Sequence, residues 1–276
     1  MSSLEEVLVV ATIAGCTTGI GALPLLLTDR ISHRVYDGSL GLASGIMVGA
    51  AVFALVLPGL ELGSPFEVVA GLVAGGGFLL ASNALLPHIH VLFPGEQVEG
   101  TRLRDPAGDL PTLSERVESG PDDGLGDDLR RAALVGAAIT IHNVPEGLAV
   151  GIAFASGEAA LGLAIATAIA VQNVPDGFAM AVPSVRAGVS GPRTLLYTTL
   201  SGGVPEPIAA AVGFLLVAVV SNLFPIAAGF AAGAMIAVVF RELVPSSHGH
   251  GHADIATAAF VAGFALMLIV DTVLAV

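Results

Sequence analysis

The sequence predicts an all-α integral membrane protein with eight transmembrane helices, built as a single domain over residues 1–276. The first observation is composition: 54% of the residues are hydrophobic and 12% are charged, whereas soluble domains carry about 25% charged residues. The second is that apolar runs of about 20 residues, the length that crosses the hydrocarbon core, recur along the whole chain. The third is that the basic residues fall only in alternate loops.

We number the predicted spans one to eight in chain order. They cover about 5–28, 38–60, 67–87, 132–155, 159–183, 194–220, 222–240 and 253–275. Span one begins with the acidic stretch "MSSLEEVL", which argues against a cleaved signal peptide because such a peptide begins with basic residues. Glycines four residues apart in spans one, two, three and seven allow these helices to approach closely in lipid.

The positions of arginine predict the orientation of the spans. All ten basic residues are arginines, and they follow spans one, three and five or lie at the end of span seven. These positions share one side of the membrane, which the positive-inside rule makes cytoplasmic. We therefore expect both termini to be extracellular.

The loop at about 93–131 is the most acidic part of the chain, and on this orientation it is cytoplasmic. Its segment "ERVESGPDDGLGDD" carries six acids beside the proline and glycine that are typical of a solvated, disordered linker. Capture of cations is an alternative role. The single cysteine, Cys16, excludes an internal disulfide and a thiolate-rich metal site.

A polar motif occurs twice, as "IHNVPEGLAV" at 141–150 and "VQNVPDGFAM" at 171–180. Each copy lies near the middle of its span and places an amide or imidazole four residues before a carboxylate, on one helix face. The pairs are His142 with Glu146 and Gln172 with Asp176. Because spans four and five run antiparallel, the copies approach as an inverted pair, the usual construction of a secondary transporter's binding site.

The energetic cost of placing this motif in the membrane favours a functional role for it. A charged acid at the centre of a span costs about 2.5–3.5 kcal/mol, and a bound divalent cation would supply the counter-charge. Pro145 and Pro175 each leave one helical carbonyl without its usual partner. A third proline–acid cluster, "GGVPEPIAA", puts Glu206 near the middle of span six. Helix-to-helix hydrogen bonding is the simpler alternative, but uncharged side chains would achieve it at lower cost.

The donor types suggest a class of cargo. One imidazole with carboxylates and amides suits Zn²⁺, Fe²⁺, Mn²⁺ or Co²⁺ and disfavours Cu⁺. An exchange or proton-coupled carrier of hard cations such as Ca²⁺ is an alternative, although histidine is an unusual ligand for Ca²⁺. A membrane-embedded metalloenzyme is another alternative, but the spacing is not H-E-x-x-H. With no nucleotide-binding motif, ATP is not expected to drive the protein.

The stretches "HNVPEGLAVGIAF" and "QNVPDGFAMAVP" resemble the signature of the ZIP (Zrt/Irt-like) divalent metal transporters, especially the prokaryotic GufA-like branch. The likeness continues in "LASGIMVGAAVFALVLPGLE", "PEPIAA", "GAMIAVVFRELVP" and "GHADIAT". It implies eight spans, a binuclear or near-binuclear metal site in spans four and five, and elevator-like movement of one helix group against another.

The resemblance also implies the site residues. The principal site comprises His142, Glu146, Gln172 and Asp176, with Met47 nearby. The second comprises Asn143, Asn173 and Glu206 and shares Glu146 and Asp176. This chain has Asp176 where the family usually has glutamate, and Asn173 is neutral where some relatives have a carboxylate, so the second site is the weaker expectation.

The resulting hypothesis is a transporter, not an enzyme, that moves a divalent transition metal into the cytoplasm of a prokaryote across its plasma membrane. Zinc is the first candidate, with iron, manganese, cobalt and cadmium also compatible, and the metal is cargo, not a cofactor. The expected partners are metal ions and the lipid bilayer, with no nucleic acid. A homodimer is compatible with the sequence.

A second set of candidate ligands lies on the predicted cytoplasmic side. Two clusters, "PHIH" after span three and "SSHGHGH" after span seven, predict a role in metal exit or sensing, with an inert loop as the alternative. Glu242 at the inner end of span seven is a further candidate, although pairing with Arg241 or lipid would explain it equally well. The candidates are His88, His90, Glu242, His248, His250 and His252.

Overall fold

The computed structural model describes residues 3–27, 32–85, 143–157, 159–186, 189–220 and 222–274, and within these ranges every regular element is helical. The helices are α1 (Leu4–Cys16), α2 (Thr18–Ala22), α3 (His33–Gly49), α4 (Leu57–Leu62), α5 (Pro65–Leu85), α6 (143–155), α7 (Ala159–Arg186), α8 (Gly191–Gly203), α9 (Pro205–Val219), α10 (Phe224–Val238), α11 (Val244–Ser247) and α12 (Ala253–Leu274). The acidic loop at 93–131 lies outside the described residues.

Seven segments in the described part of the chain are long and apolar enough to cross a membrane. They are Leu4–Leu26, His33–Leu62, Pro65–Ser82, Ala159–Val182, Gly191–Val219, Phe224–Ser247 and Ala253–Val273. The prediction of a multi-pass, all-helical membrane protein is confirmed. Span four is described only from residue 143 onward, as α6, so the count of eight spans and the orientation stay predictions.

Two spans that the sequence predicts as continuous are interrupted. Span one breaks between α1 and α2 at Thr17, whose hydroxyl donates to the carbonyls of Ala14 (2.6 Å) and Ala170 (2.8 Å). Span six breaks between α8 and α9 at Val204, immediately before Pro205, because proline has no backbone N–H to continue the helical ladder. A backbone carbonyl beside each break accepts a side-chain hydrogen bond, Ala14 from Asn173 and Ser201 from Asn143.

Two other spans contain wider π-helical turns that the sequence did not predict. One, Ala50–Val56, joins α3 to α4, and the other, Val239–Leu243, joins α10 to α11. The span that begins at α3 therefore runs from His33 to Leu62, longer than the predicted 38–60. Single π turns inside helices are frequently found at functional sites.

The helices form two groups. In the outer group, α10 packs along α5 and α12 packs along α3; in the site group, α1 and α2 pack against α7, α8 and α9. The predicted glycine packing is confirmed: a Cβ on Gly45 would collide with the carbonyl of Phe260, and one on Gly75 with that of Phe230. The groups meet mainly where α3 contacts α7 and share an apolar core that includes Ala51, Ile169 and Met235.

Candidate metal centre

The two copies of the motif face each other across an antiparallel helix pair. Glu146 of α6 is hydrogen-bonded to Gln172 of α7, and further along a Cβ on Gly162 would collide with the ring of Phe154. The two helices therefore run antiparallel. This arrangement brings both halves of the repeated motif to one level of the bundle.

The glycine that follows each carboxylate allows an interrupted helix to approach. A Cβ on Gly147 would collide with the backbone of Glu206 at the start of α9, and a Cβ on Gly177 would collide with the carbonyl of Thr18 at the start of α2. Each motif therefore packs against the break of another span. The pairing explains why glycine follows the acid in both copies, since a larger residue would push the broken helix away.

Four amide and carboxylate side chains make direct contacts in this centre. Gln172 donates its Nε2–H to Glu146 Oε1 at 2.8 Å, and Asn173 donates its Nδ2–H to Glu206 Oε1 at 2.8 Å. Asn173 also donates to the carbonyl of Ala14, at 2.9 Å. Helices α6, α7 and α9 thus contribute side chains, and α1 contributes a backbone oxygen.

These side chains are withdrawn from solvent. Glu146 is 1% exposed, and Gln172, Asn173 and Glu206 are 0% exposed. Asp176 is half-buried and interacts electrostatically with both Glu146 and Glu206. Three carboxylates therefore share one small region of the bundle core, where like charges repel strongly unless protons or cations neutralise them.

Four buried oxygens of the centre have no hydrogen-bond partner among the described residues. They are Glu146 Oε2, Gln172 Oε1, Asn173 Oδ1 and Glu206 Oε2. Leaving a buried polar atom unsatisfied costs about 1–3 kcal/mol, so a set of four is too large to be incidental. Carboxylate and amide oxygens are donors that divalent cations accept.

Sequence comparisons place this centre in a family. A profile of the ZIP Zinc transporter family matches residues 104–271. The chain is 35% identical over 273 residues to the protein named Zinc transporter GufA from Myxococcus xanthus, covering 96% of this chain and 97% of that protein. It is also 35% identical to Zinc transporter ZIPB from Bordetella bronchiseptica, covering 93% and 77%, and 33% identical to human Zinc transporter ZIP11, covering 92% and 93%.

The chain belongs to the ZIP zinc transporter family. This confirms the resemblance to the GufA-like branch. It also confirms that the chain is a transporter and not an enzyme, because the family consists of transporters.

The structure of this ZIP transporter brings together part of the predicted site. Glu146, Gln172, Asn173 and Glu206 are in direct contact as pairs, with Asp176 beside them. Histidine 142 of the sequence lies outside the described residues. In the described part of the chain, no three His, Cys, Asp or Glu side chains are already arranged to hold a metal ion.

Two predicted residues are found elsewhere than in this contact network. Asn143 donates its Nδ2–H to the carbonyl of Ser201 in α8, at 2.6 Å. Met47 is buried against Leu79, Val238 and Val239. Their assignment as metal ligands stays a prediction.

The sequence analysis did not predict that span one contributes to the metal centre, or that span six contributes anything besides Glu206. The carbonyl of Ala14 receives hydrogen bonds from Asn173 and from the Thr17 hydroxyl. The signal that could have found this contact is the pair of threonines, Thr17 and Thr18, in the middle of an otherwise apolar span. Threonine hydroxyls commonly bond backbone carbonyls within helices and bend them.

The predicted cytoplasmic histidines do not form one cluster within the described residues. His248 contacts Ser247 Oγ (2.9 Å) through Nδ1 and Thr257 Oγ1 (3.2 Å) through Nε2, whereas His250 reaches Asp37 of α3. The backbone carbonyl of His252 accepts hydrogen bonds from the first turn of α12. Glu242 lies in the second π turn, and positions 88 and 90 are outside the described residues. An exit role for these residues stays a prediction.

Proposed function

We propose that the chain is a secondary transporter that carries a divalent transition-metal cation, zinc foremost, into the cytoplasm. The cation binds between α6, α7 and α9, at Glu146, Gln172, Asp176 and Glu206. The observation that carries the proposal is a set of four buried oxygens, near the middle of their spans, that have no hydrogen-bond partner among the described residues. Two of them belong to Glu146 and Glu206, which interact with each other and with Asp176. A divalent cation would satisfy these oxygens and offset the negative charge.

The ion that best fits is a borderline transition metal. The described donors are oxygens, which alone would also suit Ca²⁺, but the imidazole at position 142 immediately precedes α6 and favours Zn²⁺, Fe²⁺, Mn²⁺ or Co²⁺. Zinc is preferred among these because the relatives from Myxococcus xanthus, Bordetella bronchiseptica and human are all named zinc transporters. Iron, manganese, cobalt and cadmium are proposed as secondary cargo.

The centre supports one strong and one weaker ion site. Glu146 and Gln172 form the first hydrogen-bonded pair, and Asn173 and Glu206 form the second. Each pair joins one carboxylate to one neutral amide, and the second is proposed as the weaker because Asn173 is neutral where some relatives have a carboxylate. We propose that the first pair anchors the principal ion, with residue 142 and Asp176 completing it.

The division into two helix groups supports an elevator-like movement. Gln172, Asn173, Asp176 and Glu206 lie on α7 and α9 of the site group, as does Ala14 on α1. Glu146 of α6 is hydrogen-bonded to Gln172 of this group. The site group can therefore move relative to the outer group without dismantling the centre. We propose this movement together with eight spans, extracellular termini, a prokaryotic plasma membrane and a homodimer as the working arrangement.

Reconstitution in proteoliposomes tests the proposal. With zinc outside and a zinc-sensitive dye inside, we expect saturable zinc uptake that needs no nucleotide. Excess Ca²⁺ should not inhibit this uptake. Protein-free liposomes and the Glu146→Ala variant are the controls. Equal competition by Ca²⁺ would favour the carrier of hard cations, and absence of any metal flux in the folded protein would refute the proposal.

A further inference from the structure

The asparagine in each copy of the motif reaches the end of another helix. Asn143 donates its Nδ2–H to the carbonyl of Ser201 at 2.6 Å, and Asn173 donates its Nδ2–H to the carbonyl of Ala14 at 2.9 Å. Ser201 lies in the last turn of α8 and Ala14 in the last turn of α1, each just before a break. The two copies of the motif therefore make the same contact with two different broken spans.

The carbonyl of Ser201 lacks the donor that a continuous helix would give it. In such a helix the N–H four residues later bonds this carbonyl, but that position is Pro205, which has no N–H. The contact with Asn143 is buried, and a backbone carbonyl without a partner inside a membrane span is costly. The amide of Asn143 thus replaces, from another helix, the hydrogen bond that Pro205 cannot make.

The same helix also contacts the other side of the break. Gly147 lies four residues after Asn143, on the same face of α6, and a Cβ on it would collide with the backbone of Glu206 in the first turn of α9. In the other copy, Gly177 meets the carbonyl of Thr18 at the start of α2 in the same way. Each copy of the motif therefore contacts both ends of one break. We call the contacts of Asn143 and Gly147 the span-six clasp.

We propose that Asn143 is a positioning residue, which holds the break of span six through its amide N–H and does not itself bind the metal ion. The break decides where α9 begins, and Glu206 lies in the first turn of α9. Glu206 Oε1 accepts a hydrogen bond from Asn173 in the metal centre. Fixing the last turn of α8 against α6 therefore fixes the carboxylate of Glu206 in that centre. The part of this inference that concerns the ion rests on the proposed function.

Replacement of Asn143 by aspartate separates this role from the ligand role that the family resemblance implies. A metal ligand would use the side-chain oxygen, whereas the clasp uses the N–H. Aspartate keeps an oxygen and adds negative charge, but it has no N–H to donate to Ser201. A ligand role predicts that Asn143→Asp takes up zinc at least as well as the unmodified protein. The clasp predicts that Asn143→Asp and Asn143→Ala both lower uptake into proteoliposomes, by about 10–100-fold, the usual cost of losing a group that orients a ligand.

Hydrogen exchange of the zinc-free, full-length protein tests the clasp without reference to transport. Loss of the Asn143 N–H should loosen the last turn of α8, so Asn143→Ala and Asn143→Asp should both raise exchange of the backbone amides at 199–204 about tenfold. Exchange at 13–18, beside the other break, should not change. Ser156→Ala is the control, because it removes a hydroxyl that donates to Ala153 at the other end of α6. It should leave exchange at both breaks unchanged.

The variant Pro205→Ala tests the specific hydrogen bond. This change returns a backbone N–H to position 205, where it can bond the carbonyl of Ser201 in place of the Asn143 amide. In that background, removal of the amide should no longer matter, so exchange at 199–204 in Asn143→Ala/Pro205→Ala should equal that in Pro205→Ala. If Asn143 only filled space, its removal would raise exchange equally with and without the proline.

Unchanged exchange at 199–204 in folded Asn143→Ala would overturn the clasp, as would an equal rise in exchange with and without Pro205. Zinc uptake by Asn143→Asp at the level of the unmodified protein would overturn the positioning role in favour of a ligand. If Asn143→Ala does not fold, recovery of folding in Asn143→Ala/Pro205→Ala supports the clasp, and no recovery contradicts it. If the unmodified protein moves no zinc, the proposed function fails, while the exchange measurements still decide whether the clasp exists.

Discussion

At the scale of single residues, the centre is defined by which oxygens have partners and which do not. Glu146 and Glu206 each use one carboxylate oxygen to accept a hydrogen bond from an amide and keep the other oxygen without a partner among the described residues. The amides thus orient the carboxylates while leaving ligand capacity. Asparagine and glutamine suit this role because they carry both a donor and an acceptor.

Replacing Glu146 by alanine should abolish transport while the protein still folds. The change removes the carboxylate that interacts with Gln172, Asp176 and Glu206, and it also relieves the cost of placing a charge at mid-span. Uptake should fall more than about 100-fold, since even loss of a supporting partner of a ligand costs 10–100-fold. Glu5→Ala, at an exposed acid of α1, is the control for zinc flux in proteoliposomes. Near-normal uptake by Glu146→Ala would contradict the assignment of Glu146 to the metal centre.

Lengthening Asp176 to glutamate should strengthen binding of a second ion. Asp176 already interacts with Glu146 of the first pair and Glu206 of the second, and one extra methylene would let its carboxylate reach both ions. Titration calorimetry with Zn²⁺ should show a second binding event, or at least about tenfold tighter binding of the weaker ion. Identical stoichiometry and affinity in both proteins would show that the length of this side chain does not limit the second site.

At the scale of helices, the sequence predicted where spans lie better than how they are built. Length and hydropathy were sufficient for the seven spans that the described residues contain, and glycine spacing was sufficient for close packing. The π turn at Ala50–Val56 was not predicted, because a uniformly apolar stretch gives no periodic signal of hydrogen-bond register. The break at Thr17 was not predicted either, although the adjacent threonines could have indicated it. The contact between Asp37 and His250 was missed because the two residues lie 213 positions apart, and spacing along the chain identifies only partners on the same helix.

The packing of α5 on α10 allows a matched test of the prediction that glycines let the helices pack closely. Gly75 and Gly77 lie two residues apart on α5, but a Cβ on Gly75 would collide with the backbone of Phe230, whereas one on Gly77 would meet nothing within 4 Å. Gly75→Ala should destabilise the protein by about 1–3 kcal/mol through overpacking. Gly77→Ala should be neutral or stabilising by up to about 1 kcal/mol, because alanine favours helix more than glycine does. Unfolding in detergent measures both, and similar losses would contradict the assigned contact.

At the scale of the whole molecule, the two helix groups differ in what they contribute. The site group holds the carboxylates, the amides and both broken spans, whereas the outer group consists of long helices with π turns that pack against each other through glycine. Where the groups meet, Tyr36 donates a hydrogen bond to the backbone of α7 at Ala179, and the surrounding buried cluster includes the apolar side chains of Leu40 and Val182. An interface of this kind can slide while breaking few hydrogen bonds.

Cross-linking between the groups should therefore stop transport. In a Cys16→Ala background, cysteines at Tyr36 and Ala179 would lie on facing helices of the two groups. A short bis-methanethiosulfonate, which forms a disulfide with each thiol, should join them and block zinc uptake until a reductant releases them. The control pair, Gly38 and Ile255, lies within the outer group, where a Cβ on Gly38 would be 3.4 Å from the Ile255 side chain. Joining that pair should leave uptake unchanged, because α3 and α12 move together. Full activity with the first pair cross-linked would contradict relative movement of the groups. Equal inhibition with both pairs would show that the reagent itself, and not the link between the groups, inhibits zinc uptake.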